Sequence, residues 1–354
     1  MTTLNRRPAA AVETITLARL LAHQFPPREP LVAPWLRQGE SMMLWASPGT
    51  GKTLLVLTLA VMVAGGGAVL GWTSPRPRKV LLVDGEMSAE DLQTRAELLI
   101  GTVEGIDREA AKANLVILSR TWQRAEVAFP DLGEREAPPS GARRAGQDVV
   151  FDKAREVGAE LVILDNFSTL AEVADENDAA AMGPTLAFLL RLKAARIGCV
   201  LVHHSGKGGD SYRGSSRLAT TFEVILGLKP LEAGVAAGGA AFRLDWTKYR
   251  REPCEAVRAR EVRLETGPDG RRRWAAAETE DDDVRTLLRE LRTCMFSTQR
   301  ELAKHLGWDA AKVSRLKAAA VRAQRVTRQE WDLCMTEAAT ENLSPQEAAE
   351  RGDF

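Results

Sequence analysis

Eight residues carry the most specific chemistry in this chain: Ala46-Ser-Pro-Gly-Thr-Gly-Lys-Thr53. Gly49 and Gly51 allow the backbone to curl, so that successive N–H groups point inward at phosphate oxygens. Lys52 has the length and charge to reach β- and γ-phosphates, and the Thr53 hydroxyl suits Mg²⁺. Ser47, Pro48, Thr50 and Leu54 complete the candidate cradle. The usual first glycine is Ala46, a departure of one methyl group.

Four later stretches carry compatible chemistry. Asp165 ends the apolar run Leu161-Val-Ile-Leu164, where a carboxylate can hold Mg²⁺ through water beside Thr53. Glu86 follows the run Lys79–Val83. If that strand neighbours the loop strand, Glu86 faces the γ-phosphate and can polarise an attacking water; Asp84 is its local competitor. His203-His204 closes a strand expected beside the Asp165 strand, where a polar side chain can touch the γ-phosphate. Residues 205–216 are rich in Gly and Ser. Lys207 and Arg213 there can neutralise nucleic-acid phosphates, with Tyr212 as a stacking platform.

These residues need a frame. Met42-Met-Leu-Trp45 reads as a short strand and Leu54–Ala64 as a buried helix, so loop and helix N-terminus meet in the order that phosphate binding requires. Strands are expected at Lys79–Val83, Leu115–Leu118, Glu160–Leu164 and Cys199–His203, alternating with helices, one of them at Val149–Val157. That alternation implies a parallel sheet covered on both faces. From Phe222 strands follow one another, so the sheet is expected to finish antiparallel. A short helix is expected at Glu13–His23, and 119–147 reads as a long irregular insertion.

Composition limits the alternatives. The 354 residues fit two domains, and 45% apolar content supplies a sizeable core. Net charge is zero, so any basic surface must be local. Cys199, Cys254, Cys294 and Cys334 are scattered, which argues against zinc or a disulfide framework and suits a reducing cytoplasm. The apolar stretch Leu54–Leu70 carries Gly65-Gly-Gly67 and reads as core helix and turn, so no membrane partner is expected.

Between Val284 and Arg328 eleven Lys or Arg face three Asp or Glu. Residues 298–317 fit a helix-turn-helix, with Gly307 at the turn and Leu302, Leu306, Val313 and Leu316 toward a core. Its second helix would expose Lys312, Arg315 and Lys317 to DNA, with Arg325–Trp331 as a short wing.

The ordered series Trp35-Leu36, Ala46–Thr53, Asp84-Gly-Glu-Met87, Leu161–Asp165, His203-His204-Ser-Gly-Lys207 and Arg213-Gly-Ser-Ser216 resembles RecA-like ring ATPases, most nearly the RepA-type replicative helicases of plasmids and phages. The resemblance implies a RecA-like P-loop core over 31–278, after a lead-in at 1–30. It is followed by a helix-turn-helix or winged-helix domain at 284–335 and a polar tail at 336–354. It implies ATP and Mg²⁺ as cofactors and a homo-oligomer, a hexamer in such helicases, with single-stranded DNA in the ring. Glu86 would match the catalytic glutamate, His203-His204 the γ-phosphate sensor position, with His204 as the candidate, and 205–216 the DNA-facing loop. Lys248-Tyr-Arg250 resembles the Lys-x-Arg pair that reaches a neighbour's nucleotide, so Arg250 would act in trans, with Arg251 as the alternative. Two other functions stay open: a RecA-fold ATPase of recombination, repair or mobile-element maintenance, and a DNA-binding regulator that only senses nucleotide.

Overall fold

The computed structural model describes residues 13–124, 127, 129–133, 145–171, 183–205, 220–231, 239–252, 254–278, 282–322 and 325–341. Helix α1 (Leu17–Ala22) precedes a small antiparallel pair, β1 (Pro30–Val32) and β2 (Leu36–Arg37). Strand β3 (Ser41–Ala46) runs through the glycine loop into α2 (Lys52–Gly65). The hairpin β4 (Gly67–Val69) and β5 (Trp72–Ser74) then leads to β6 (Val80–Asp84), α3 (Ala89–Ile100), α4 (Arg108–Asn114) and β7 (Leu115–Ser119). Next come α5 (Gly146–Glu156), β8 (Leu161–Asp165), α6 (Phe167–Leu170), α7 (Gly183–Ala194) and β9 (Gly198–His204). Four strands follow: β10 (Val224–Pro230), β11 (Ala241–Tyr249), β12 (Arg260–Thr266) and β13 (Arg272–Glu278). Four helices close the described chain: α8 (Asp282–Leu291), α9 (Gln299–His305), α10 (Ala310–Arg322) and α11 (Arg328–Glu341).

The main sheet has nine strands in the order β13-β12-β11-β10-β3-β9-β8-β6-β7. Strands β3, β9, β8, β6 and β7 are parallel, and β11 pairs β12 antiparallel. The fold is therefore α/β with a mostly parallel, mixed sheet. One sequence expectation is corrected: the strand Lys79–Val83 does not neighbour the loop strand. Strands β9 and β8 lie between β3 and β6. The strand order follows from how the crossover helices pack, which no local pattern in the sequence encodes.

The chain divides into two compact units. The first comprises Met1–Gly227, Trp246–Val257 and Thr266–Arg273. Every residue of β3, β6 and β8 in it is buried, as strands covered on both faces require. Met43 and Trp45 enter one core with Val162, Leu164, Phe188 and Leu192. Helix α2 packs beside α3 and α4. The expected turn after α2 is larger than a turn, because β4 and β5 form a hairpin there.

The second unit comprises Leu228–Asp245, Arg258–Glu265 and Trp274–Phe354. Its four helices share a core of Leu287, Leu302, Val313, Ala320 and Trp331. Thr298 and Glu301 form a capping box at α9, and Gly307 turns the chain with φ +65°. The wing is corrected: Arg328–Trp331 is the first turn of α11, and among the described residues of 282–341 there is no strand.

Candidate active site

Parallel register puts the chemistry on one edge. Ala46 pairs with His204 and Trp45 with His203. Asp84 pairs with Asp165 one strand further on. With neighbouring strands about 4.8 Å apart, the C-terminal ends of β3, β9, β8 and β6 deliver the glycine loop, His204, Asp165 and the Glu86 turn to a common rim.

The loop adopts the backbone its glycines permit: φ is +76° at Gly49 and +106° at Gly51, which caps α2. A Cβ at Gly49 would meet nothing within 4 Å, so the cradle is open. The Thr50 hydroxyl donates to the Ser47 carbonyl at 2.9 Å. Lys52 is buried, and its Nζ donates to the carbonyls of Ala46 and Ser47, both at 2.9 Å. Burial holds its ammonium below the usual lysine range, against the pull of Asp165 and Glu86. The lysine is thus turned onto its own loop, with donors a phosphate would satisfy better.

The Asp165 carboxylate is buried and pushed up to about 6 by burial, while the Thr53 hydroxyl that donates to it opposes the shift. Asp84 and Glu86 add negative charge that raises it further, and the Lys52 ammonium opposes them. An open phosphate cradle, a lysine on substitute acceptors and a buried carboxylate against a hydroxyl fit Mg²⁺-nucleotide chemistry.

Glu86 is exposed and accepts a hydrogen bond from Asn166 Nδ2. Asn166 is buried, caps α6, and accepts from Thr169 N at 3.2 Å. The peptide between Asp165 and Asn166 is cis. A Cβ at Gly85 would lie 2.4 Å from Thr169 Oγ1, so only glycine lets the Glu86 turn approach α6. Asp84, the competitor, is buried and raised by burial; it accepts from Met87 N and the Ser119 hydroxyl. It holds the turn while Glu86 faces out.

His203 is buried edge-on to Phe167, with centroids 5.4 Å apart, and its Nδ1 accepts from His204 N at 2.9 Å. His204 is half-buried at the Ala46 row. Ser205 ties strand to loop twice: its N–H donates to Ala46 O at 3.0 Å, and its hydroxyl lies 3.1 Å from that of Ser47. Lys207 and Arg213, with the rest of 206–219, lie outside the described residues.

Arg250 lies elsewhere. It contacts Glu223 at 3.7 Å and donates to the Thr220 carbonyl. Glu223 in turn accepts from the N–H of Ser41, the first residue of β3. Arg250 is therefore tied to the end of β3 opposite its own glycine loop, roughly 17 Å away along the strand. Its side chain is half exposed. Arg251 is spent internally, donating to Glu40 Oε1 at 2.6 Å and to the Trp35 carbonyl.

In the helix-turn-helix, Lys312 pairs with Asp283 at 2.9 Å and lies over the Trp308 ring. Lys317 reaches Asp332 at 3.8 Å and lies over Trp331. Arg315 is exposed, and among the described residues no ion pair holds it. Sequence reasoning missed Asn166, Glu223 and the double tie of Ser205. The only local signal was an amide next to Asp165.

Fold and site together define a P-loop nucleotide-binding protein with a RecA-like α/β core. The chain belongs to the AAA domain family, whose pattern matches residues 6–210. That family of RecA-like AAA ATPases implies nucleotide binding, typically with Mg²⁺. Among solved structures, a KaiC-like protein from Pyrococcus horikoshii OT3 is 14% identical at TM-score 0.44, covering 71% of this chain and 99% of its own. The flagellar accessory protein FlaH from Methanocaldococcus jannaschii is 13% identical at TM-score 0.42, covering 68% and 91%. No curated protein matches the chain. Among the described residues no helix is long and apolar enough to cross a membrane.

Proposed function

We propose that this protein is an ATP-hydrolysing, ring-forming motor on DNA, of the RepA-like helicase kind, whose catalytic site is shared between neighbouring subunits. One observation carries the reading. Arg250 is half exposed and tied to the far end of β3 from its own loop, while Arg251 is locked to Glu40. An arginine so placed serves a neighbour's phosphates or none.

Bound ATP with Mg²⁺ supplies the labile γ-phosphoryl and its charge neutralisation. The chain's own residues do the rest. The loop amides and Lys52 bind the phosphates once Lys52 leaves the Ala46 and Ser47 carbonyls. Thr53 and Asp165 would hold the metal. Glu86, oriented by Asn166, takes the proton of the attacking water. His204 stands on the strand between loop and Asp165 and reports the γ-phosphate to 205–216, where Lys207 and Arg213 would meet single-stranded DNA.

The decisive experiment mixes two inactive variants, E86Q and R250A. Each alone should turn over little ATP. Together they should recover about a quarter of wild-type turnover, because some interfaces combine an intact Glu86 with an intact Arg250. No recovery from variants that co-assemble removes the shared site. Strand separation on forked DNA then distinguishes a helicase from a RecA-fold ATPase of recombination or repair. The pairing of Lys312 and Lys317 with Asp283 and Asp332 of neighbouring helices favours that second reading over duplex docking through the C-terminal helices.

A further inference from the structure

Several arginines of the first unit are matched to carboxylates: Arg76 and Arg78 to Glu29 and Glu160, Arg191 to Asp148, and Arg251 to Glu40. One group of arginines is not. An open groove of about 740 Å³ lies between the C-terminal half of α3, the first turn of α4 and the turn from β12 to β13, all within the first unit. Its lining carries Arg108, Arg271 and Arg272 against one acid, Glu97; Leu98 and Gly101 also line it. Arg108 and Arg271 are exposed, and among the described residues no carboxylate pairs with either. The acids nearest them in sequence are used locally. Asp107 caps α4, accepting from Ala110 N at 2.9 Å. Asp269 accepts from Arg271 N at 3.2 Å and from Arg273 Nη2 at 2.8 Å, and these donors, the Arg271 N–H first, hold its carboxyl below the usual range. Gly270 turns with φ +73°, and Gly267 N donates to the Arg271 carbonyl at 2.8 Å. The closed turn delivers Arg271 and Arg272 to the groove, and α4 delivers Arg108.

We infer that this groove holds the phosphate backbone of DNA, a contact that rests on the reading of the protein as acting on DNA and is separate from the 205–216 loop. Charge favours that occupant. The chain is neutral overall, so a polyanion must find a local excess of cations. The groove supplies three guanidiniums against one carboxylate. The C-terminal helices supply less, since Lys312 and Lys317 are already paired with Asp283 and Asp332. Geometry favours phosphate, because a guanidinium is a planar fork that sets two donors against two phosphate oxygens. Size favours a polymer. At about 740 Å³ the groove far exceeds one phosphate ion, which fills the space of a few waters at about 30 Å³ each. A DNA strand carries a charge about every 3.4 Å of helix axis, so one stretch of it can meet several arginines at once. Glu97 repels an anion placed beside it, and the neutral sugars between phosphates can occupy that position.

The placement keeps this contact apart from the chemistry. Helix α3 opens at Ala89, shortly after Glu86, and Leu98 lies about 13 Å further along it. No residue of the glycine loop lines the groove, so nucleotide and DNA can be bound together. A grip on phosphates alone carries no base information; it positions DNA without selecting a sequence.

The test compares the full-length wild type with R108A/R271A/R272A and R108K/R271K/R272K. None of the three positions is buried, so all three proteins should fold with similar melting temperatures. Fluorescence anisotropy of a labelled single strand and a labelled duplex is followed over a range of salt, with ADP filling the phosphate loop. The alanine protein should bind more weakly. Its slope of log affinity against log salt should be shallower by about 2 on a single strand or about 3 on a duplex, as expected for three lost phosphate contacts. The lysine protein keeps the charges and should restore the slope. A change on only one of the two DNAs assigns the groove to that form. An unchanged slope in the alanine protein overturns the inference. So does a lysine protein with the alanine slope, because shape and not charge would then explain the loss. If inorganic tripolyphosphate displaces the labelled DNA as well as unlabelled DNA of equal phosphate content does, the groove is a site for small polyphosphates and the DNA assignment falls. Wild-type DNA binding with a slope that the substitutions do not move refutes the groove and leaves the motor reading standing; DNA held by the groove with turnover indifferent to it does the reverse.

Discussion

The two ends of the parallel strands are built on opposite electrostatic plans. At the N-terminal ends charges are matched. Arg78, its side chain buried, meets Glu29 at 2.8 Å and Glu160 at 2.5 Å, and Arg76 bridges the same two carboxylates. Hydrogen bonds from Arg78 and Arg76 hold Glu29 below the usual carboxylate range. Lys193 meets Glu223 and Arg251 meets Glu40 in the same way. At the C-terminal ends charges are mismatched: Lys52 is held low and Asp165 and Asp84 high, each chiefly by burial. One end is complete within the chain; the other holds groups in unfavourable states that a charged ligand relieves. Arg250 is the exception at the complete end, and it is the group that points outward.

The largest way to break this comparison is at the incomplete end. E86Q keeps the shape of the Glu86 turn and should lower turnover by about 10²–10⁴-fold with nucleotide affinity retained. Measured by steady-state phosphate release and equilibrium binding, unchanged turnover would sink Glu86 as base and leave Asp84 to be reconsidered. Next is Arg250. R250A should cost about 10³-fold in turnover without loss of thermal stability, while R251A, which strands Glu40, should lower the melting temperature first. If the two variants exchange these phenotypes, the assignment of the outward arginine is wrong.

The sequence held the two ends unequally. The loop, Lys52, Thr53 and Asp165 were legible because each sits where a periodic run stops, and those runs follow from local chemistry. The position of Glu86 was legible, but its neighbour was not: β6 stands beyond β8, so Asn166 and not the loop strand orients it. Arg250 and Arg251 looked alike because the partner that separates them, Glu40, lies 211 residues away. The wing expected at Arg325–Trp331 is replaced by the start of α11. Thr327 caps the helix, accepting from Glu330 N at 3.0 Å, and Trp331 is buried among α-helices. The Thr-x-x-Glu spacing that gives this cap was present in the chain and outweighs propensity there.

The mismatch can also be titrated. Asp165 rises from 3.8 to about 6 on folding, so its ionised form costs about 3 kcal/mol above that pH. For a carboxyl raised by folding, stability is greatest below the unfolded value and is lost as pH climbs from about 4 to 6. Without nucleotide, D165N should therefore be more stable than wild type at pH 7.5, and the gap should close as pH falls through 6 toward 4. Denaturant melts at several pH values decide it; a gap independent of pH refutes the buried charge. At the complete end R78M should cost about 2 kcal/mol at neutral pH, because two carboxylates lose a buried partner. It should leave turnover per folded molecule unchanged, and a parallel loss of turnover would mean the two ends are not separable.

The smallest effect tests how the incomplete end speaks to the loop beyond it. Ser205 is held by Ala46 and Ser47, the residues whose carbonyls Lys52 borrows. When phosphate draws Lys52 away, both carbonyls lose a donor and the Ser205 ties are the next bonds affected. S205A removes one hydrogen bond of the two, a change of about 1 kcal/mol. It should leave basal turnover nearly intact and weaken the dependence of turnover on single-stranded DNA by a few-fold. His204 on the same strand is the competing route. H204A should remove the DNA dependence if the histidine carries the signal, leaving S205A without effect. The double variant separates the cases: equal effects of the single and double changes place both residues on one route, and additive effects place them on two.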